Sequence, residues 1–481
     1  MRYSFRIKGF LILVFLISQL ISASTSWQQD AQLTAVNSQV GDSFGWSVSV
    51  SGNISLVGAP YHDVGGEESC GEAYIFRSPD GGATWPSSAT QDLTASNKAA
   101  GDHFGLSVSV SGNTTLIGAP KHDSGGTRDS GEAYIFLSSD GGVTWPATET
   151  AQLIASDKAV GDRFGWSVSV SGNVALIGAP LVLTTTTPVV PIGAAYIFQT
   201  TDGGSSWNER QKLLASDKAA LDVFGSAVSV SGSVAVIGAP NHNSGGLKNS
   251  GQAYIFRSTD GGATWSEIQK LTASNKAANN YLGLSASISG SIALIGAPYH
   301  ASGGITDCGA AYIFHSSDGG ATWSSSETQM LTASDKSAND KFGVGVSVSD
   351  YVALVGAPDH DSGGLSNSGE AYIFESTDGG VTWSSPEKEK LTASDKAVSD
   401  WFGASVAVSG NIASIGAPDR ASGGISRSGA AYIFDGTSPA PPPPPPPTPS
   451  SSSSSGSSSN VPLPLPLPSS FVVAPADPGC S

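Results

Sequence analysis

Residues 104–136 read FGLSVSVSGNTTLIGAPKHDSGGTRDSGEAYIF, and this stretch decides the fold. It holds an alternating segment, Ser107-Val108-Ser109-Val110, then an apolar segment ending in Gly118-Ala119-Pro120, then Ala133-Tyr134-Ile135-Phe136. Ser-Gly-Asn and Gly-Gly separate them, which is the strand-and-turn chemistry of antiparallel hairpins. A fourth strand-like segment runs from Thr144-Trp145 towards Leu153, after the turn Asp140-Gly141-Gly142. No segment longer than a few residues carries helical periodicity.

The unit recurs seven times. A glycine after Phe or Leu stands at Gly45, Gly105, Gly165, Gly225, Gly283, Gly343 and Gly403, in steps of 60, 60, 60, 58, 60 and 60. The Gly-Ala-Pro triplets from Gly58 to Gly416 keep the same steps, and the Ala-Tyr-Ile-Phe tyrosines from Tyr74 to Tyr432 keep them to within two residues. Seven copies of four strands predict an all-β, seven-bladed β-propeller over residues 24–436, each blade covering its neighbour. The narrow Ser-Val-Ser-Val strand is placed innermost and the Tyr-Ile-Phe strand further out. Six units carry a Thr-Trp or Ser-Trp on the predicted fourth strand, but the seventh stops at Phe434 without one. The missing copy is N-terminal, where Trp27 precedes Trp85 by 58 residues. Pairing that strand into the last blade closes the ring and leaves neither edge open.

The two ends differ from this middle. Arg2, Arg6 and Lys8, the apolar run Gly9–Ile21 and the small residues Ser22-Ala23-Ser24 follow the order of a secretory signal peptide, assigned to residues 1–23. The run is shorter than the roughly 20 residues of a membrane span, so the mature chain is expected to be secreted, with no transmembrane span. Residues 437–481 contain seven consecutive prolines, Pro441–Pro447, then a Ser run, and read as a disordered Pro/Ser-rich spacer or a glycosylated, wall-embedded tail. Asn53 and Asn113 open glycosylation sequons. Cys70, Cys308 and Cys480 are too few and scattered for a disulfide framework. The 40 acidic against 23 basic residues, net charge −17, remove the basic footprint of a nucleic-acid binder.

Phe-Gly followed by Gly-Ala-Pro, seven times over, resembles the FG-GAP repeat of the integrin α-subunit propeller and covers about residues 26–436. The Asp-Gly-Gly-x-Thr/Ser-Trp turns around Asp80, Asp140, Asp202, Asp260, Asp318 and Asp378 overlap it and resemble the Asp-box, in which Asp accepts turn hydrogen bonds and Trp packs under the hairpin. The likeness implies an extracellular, non-enzymatic recognition or adhesion role, with loops on one face binding a protein, matrix or glycan partner. Integrin-like calcium loops carry DxDxDG, which is absent here, so calcium does not carry over.

The candidate chemistry is correspondingly thin. His62, His122, His242, His300 and His360 follow Gly-Ala-Pro by one residue, one to a blade, and read as loop packing rather than as zinc ligands, which must converge on one ion. Asp63, Asp123 and Asp361 beside them are the candidates for a loop-level calcium site. Asp157 and Asp162, replaced in other units by Asn97, Asn275 and Asn280, read as Asx-turn residues needing an oxygen rather than a charge. One loop breaks the pattern. Leu181, Val182, Leu183, Pro188, Val189, Val190, Pro191 and Ile192 replace the His, Asp and Gly-Gly of the other units, and read either as an apolar contact patch or as drift. No HExxH, Gly-x-Ser-x-Gly elbow or P-loop is present. The alternatives are a sialidase-like glycan-processing enzyme, which would want an arginine cluster, or a structural cell-wall or coat component.

Overall fold

Serine alternates with valine in the innermost strands because the two residues meet different neighbours. A computed structural model describes residues 26–184 and 189–436. The predicted signal peptide, the tail with Cys480, and Pro188 lie outside the described residues. In blade 1 the inner strand is Ser47–Ser51, followed by Ile54–Ala59, Glu72–Arg77 and an outer strand Gln91–Leu93, all paired antiparallel in that order. Val48 and Val50 are buried, whereas the serines are half-buried. Ser49 Oγ and Ser51 Oγ accept the N–H groups of Val110 (3.0 Å) and Gly112 (3.1 Å) on the next blade's inner strand. The serines thus satisfy an edge that would otherwise have no partner. The same pair of bonds joins Ser109 and Ser111 to Val170 and Gly172, and so on round the ring. Where Ala407 replaces the serine, the first bond of the pair is lost between blades 7 and 1 and the second, from Gly52 N–H to Ser409 Oγ, is kept.

Seven four-stranded sheets result, the seventh being Ser405–Ser409, Ile412–Ala417, Ala430–Asp435 and the N-terminal Gln28–Leu33. The closing strand pairs from Gln28 opposite Asp435 to Leu33 opposite Ala431, as the displaced tryptophan predicted. Each hydrophobic core lies between two blades. Ile54, Leu56, Ile75 and Leu93 of blade 1 pack with Phe104, Val108, Tyr134, Phe136 and Trp145 of blade 2, and there is one such cluster at each of the seven interfaces.

The outer strands correct one expectation. The tryptophans do not lie on them but in the preceding turn, and strand length follows the spacing after Trp. Where Trp and Leu are six residues apart, as in Trp207 to Leu213, the outer strand is the six-residue Asn208–Leu213 with a bulge. Where they are eight apart, as in Trp85 to Leu93, the extra residues loop out and only three residues pair.

Blades approach most closely at the two motif glycines. The Gly105 carbonyl oxygen sits over the Cα of Gly58, where a Cβ would collide with it, and Ser47 Oγ donates to the same oxygen at 2.8 Å. The ring closes with the same contact between Gly45 and Gly416, where Ser405 Oγ donates at 2.7 Å.

Gly58→Ala should destabilise by about 3 kcal/mol in chemical denaturation, as overpacking against backbone that cannot move aside. Gly52→Ala, at a hairpin tip with nothing within 4 Å, should cost about 1 kcal/mol for its left-handed backbone alone. Deleting residues 24–33 opens the ring and should abolish the cooperative melt followed by circular dichroism; an unchanged melting temperature would show that closure is dispensable.

Candidate binding face

The antiparallel order brings the start of each inner strand and the end of each second strand to one end of the central channel, here called the mouth. The inner hairpin turns and the Asp-box turns lie together at the other end, where Asn173 and Gly204 line one cavity. Three positions per unit reach the mouth, and at each of them the seven copies disagree. After Phe-Gly stand Trp46, Leu106, Trp166, Ser226, Leu284, Val344 and Ala404, all lining one axial cavity of about 280 Å³. After Gly-Ala-Pro stand Tyr61, Lys121, Leu181, Asn241, Tyr299, Asp359 and Asp419.

The third position, just before the Phe or Leu, is conformationally costly. Ser43, His103, Arg163, Val223, Tyr281, Lys341 and Trp401 all have positive φ, between 52° and 61°. A left-handed non-glycine residue costs roughly 1–2 kcal/mol, and more when β-branched as Val223 is. Glycine or asparagine would relieve this, yet neither occurs in any copy and all seven residues differ.

These side chains interlock along part of the rim. Trp46 stacks edge-on against Tyr61, and Tyr61 against His103, with centroids 5.6 and 4.9 Å apart. Burial, aided by Lys121 and Arg163, holds the His103 imidazole down at about 4, so it is neutral. Tyr281 packs on Tyr299 at 5.2 Å, and Lys341 Nζ lies 5.6 Å over the Tyr299 ring while pairing with Asp359 at 2.8 Å. The rim encloses a cavity of about 350 Å³ between Trp46, Tyr299 and Trp401.

Beneath the mouth each blade buries a polar cluster that the sequence only half revealed. In blade 2, His122 Nδ1 lies 2.9 Å from Asp102 and Nε2 3.0 Å from Glu132, and Tyr134 donates to Asn97 (2.9 Å). Burial alone would lower the His122 pKa, but Asp102 and Glu132 outweigh it and lift it to about 9. His360 is carried to about 10 by Asp340 and then Glu370. In blade 5 the cluster is neutral, with Asn280 and Ala310 replacing the acids, and burial lowers the His300 pKa instead. In blade 7 Arg420 replaces histidine and reaches Asp400 and Asp395.

The turn reading of the acids holds at Asp162, whose Oδ2 accepts the Ala159 N–H at 2.7 Å. It fails at Asp157. That carboxylate anchors Tyr196 OH (2.9 Å) and Lys212 Nζ (2.6 Å), so its charge is matched rather than incidental. Asp335 is matched by Lys390 and Asp217 by Lys270, whereas in the blades carrying Asn97 and Asn275 the lysine's register position is held by Gln152 and Met330.

The loop acids Asp63, Asp123 and Asp361 lie on three different blades. Each Oδ1 accepts a backbone N–H six residues on, from Ser69, Asp129 and Asn367 at 2.7, 2.7 and 2.9 Å. Among the described residues only Asp335, His360 and Glu370 bring three potential ligand atoms together. There a protonated imidazole and the Lys390 ammonium already occupy the carboxylates. The blade-3 loop divides: Val182 and Ile192 are buried, Val190 and Pro191 half-buried, while Leu181, Leu183 and Val189 are exposed. Asn53 and Asn113 sit at the far-end hairpin turns, each donating to a backbone carbonyl (3.1 and 2.9 Å). Cys70 and Cys308 are buried free thiols. The Asp-boxes are turn braces: Asp80 accepts from Thr84 and Ser78, which hold its carboxyl at about 2, and Trp85 Nε1 donates to Gly82 O (3.0 Å). Trp27 Nε1 has no hydrogen-bond partner among the described residues, and no Asp-Gly-Gly precedes it in the sequence.

The FG-GAP repeat model matches residues 27–76, 88–136, 147–198, 207–256, 265–314, 325–374 and 386–434. The chain belongs to the FG-GAP repeat family. The BNR/Asp-box repeat model matches residues 256–267 of this FG-GAP propeller, one of its six such turns. No curated protein matches it by sequence. Among solved structures it is similar to Saccharomyces cerevisiae Sqt1, at 10% identity and a TM-score of 0.41, over 85% of this chain and 99% of that one. Among the described residues no helix is long and apolar enough to cross a membrane.

Apart from Leu181, the variable mouth positions were not singled out from the sequence; disagreement between copies at fixed offsets was the available signal. The buried histidines yield a pH prediction. Their folded pKa is raised, so their contribution is full below the unfolded value of about 6.5 and is lost as pH rises through about 9 and 10. The melting temperature should fall between those limits, and a His122→Gln/His360→Gln variant should flatten the fall; an unaltered profile would dissociate these histidines from stability.

Proposed function

We propose that this FG-GAP propeller is a secreted, non-enzymatic recognition scaffold that binds an extracellular protein, matrix or glycan partner through the loops at its mouth. One observation carries the reading: seven different side chains are held in left-handed backbone around one opening, at a cost that glycine would remove. A strain kept in every copy, with a different residue each time, supports a role for these side chains beyond the contacts that His103, Tyr281 and Lys341 make within the rim. The signal-like residues 1–23 and the sequons at Asn53 and Asn113 support secretion and glycosylation. The buried histidines of blades 1, 2, 4 and 6 are each paired with a carboxylate, which favours binding over catalysis. Leu181, Leu183 and Val189 extend the surface at blade 3, where Leu181 follows Gly-Ala-Pro and the exposed Trp166 follows Phe-Gly.

The test uses the full secreted chain against a panel of immobilised matrix proteins and glycans. Trp46→Ala/Trp401→Ala should weaken any binding by at least about tenfold with little change in melting temperature. Replacing residues 181–192 with the blade-2 loop tests the apolar extension in the same assay. Val143→Ser, at the far end, should bind like the parent; equal binding by the mouth variants would place recognition elsewhere.

A further inference from the structure

The cavity between Trp46, Tyr299 and Trp401 has a composition that narrows its ligand, and the inference drawn from it rests on the recognition reading above. Its walls are aromatic or aliphatic: those three rings with Leu284, Val344 and Pro358. The charged groups lining it are Lys341 and Asp359, and they face each other at 2.8 Å. At about 350 Å³ it lies near the low end of the range for small-molecule sites.

The ion pair decides the charge of the ligand. An anionic ligand would have to draw Lys341 away from Asp359, and a cationic one would have to displace Lys341, which already lies over the Tyr299 ring. Either exchange leaves a partly buried charge without its partner. A neutral ligand keeps the pair intact and can still use it, because the ammonium has donors beyond the one given to Asp359 and the carboxylate has free lone pairs. Groups that donate and accept side by side match this, and hydroxyls do both. A ligand with hydroxyls on its edge and C–H bonds on its faces fits an ion pair flanked by tryptophan and tyrosine rings. A purely apolar peptide side chain would cover the pair without satisfying it.

The cavity also continues. Asp359 and Trp401 form a shared wall with a second cavity of about 510 Å³, lined also by Ser337, Asn339, Ser366 and Asn367, whose amides and hydroxyls suit uncharged polar groups. Two more carboxylates line it and both are already engaged, Asp340 with His360 and Asp361 with the Asn367 N–H. The left-handed backbone of Lys341 and Trp401, φ 55° and 58°, holds both of those side chains at the site.

We propose that these two cavities form a binding site for an uncharged oligosaccharide of at least two pyranose units, one seated on the Trp46, Tyr299 and Trp401 rings and the next among Asn339, Ser366 and Asn367.

Titration calorimetry on the full chain tests this with cellotetraose, mannotetraose and β-1,4-galactotetraose as neutral probes, tetragalacturonate as an anion and chitosan tetramer as a cation. At least one neutral tetrasaccharide should bind, at least about tenfold tighter than its monosaccharide, with an affinity unchanged between about 0.05 and 0.5 M NaCl. Trp401→Ala and Tyr299→Leu should each weaken it about tenfold or more, and Asp359→Asn should do so with the melting temperature retained. Asn367→Ala should remove the advantage of the tetrasaccharide while sparing the monosaccharide. Failure of all three neutral probes overturns the assignment, as does binding confined to a charged probe or binding indifferent to Trp401→Ala. If no sugar binds but a matrix protein is still lost on Trp46→Ala/Trp401→Ala, recognition at the mouth stands and the partner is a protein. If neither binds, both readings fall.

Discussion

One contact sets the geometry of the ring: the carbonyl of the glycine after Phe or Leu in one blade rests on the Cα of the Gly-Ala-Pro glycine in the blade before it. No side chain fits between them, so the inner edges of neighbouring blades are held at backbone distance. At that distance a serine hydroxyl can bridge to the next inner strand, which is why Ser-Val-Ser-Val recurs there. Blades 4 and 6 show the dependence. Ala227 and Gly345 replace the serine that would grip the carbonyl, and their inner strands are one residue shorter, Val228–Ser231 and Val346–Ser349. Since every core is shared by two blades, no blade carries a core of its own, and closure by the N-terminal strand completes the last two interfaces at once.

Around that frame, charge is exchanged in sets. Blade 3 loses the histidine and the glutamate together, Val182 and Ala194 taking their places, while Asp157 gains Lys212. Blade 5 loses its acids and keeps a neutral histidine. Buried charge without a partner is expensive, and these exchanges largely avoid it; Asp162 of blade 3 is left without a histidine, and burial raises its carboxyl pKa. The clusters therefore vary in chemistry while leaving the loops above them in place.

The mouth follows the opposite rule. Its positions lie between repeated neighbours, Phe-Gly or Leu-Gly on one side and Gly-Ala-Pro on the other, whose backbone bonds fix where each variable side chain emerges. A rigid, repeated frame with free choice at fixed points allows one sector, from blade 5 through blade 7 to blade 1, to differ from the rest. The aromatic cavity arises from that choice and not from the fold.

The repeat in the sequence determined the number of blades, the strand order, the ring closure and the role of the Asp-boxes, because each is a local pattern of turn chemistry and alternation copied seven times. It also pointed to the buried histidines as packing residues, though without their acidic partners, and it misplaced the tryptophans on strands that the two extra residues after them interrupt. Tertiary structure alone decided which residues meet. Trp46 and Trp401 lie at opposite ends of the repeat array and line one cavity only because the ring closes between blades 7 and 1. Lys341 finds Asp359, and Asp157 finds Lys212, across strands whose pairing brings distant residues into register. A sequence displays such pairs as unrelated variation; the fixed distance between blades turns them into neighbours.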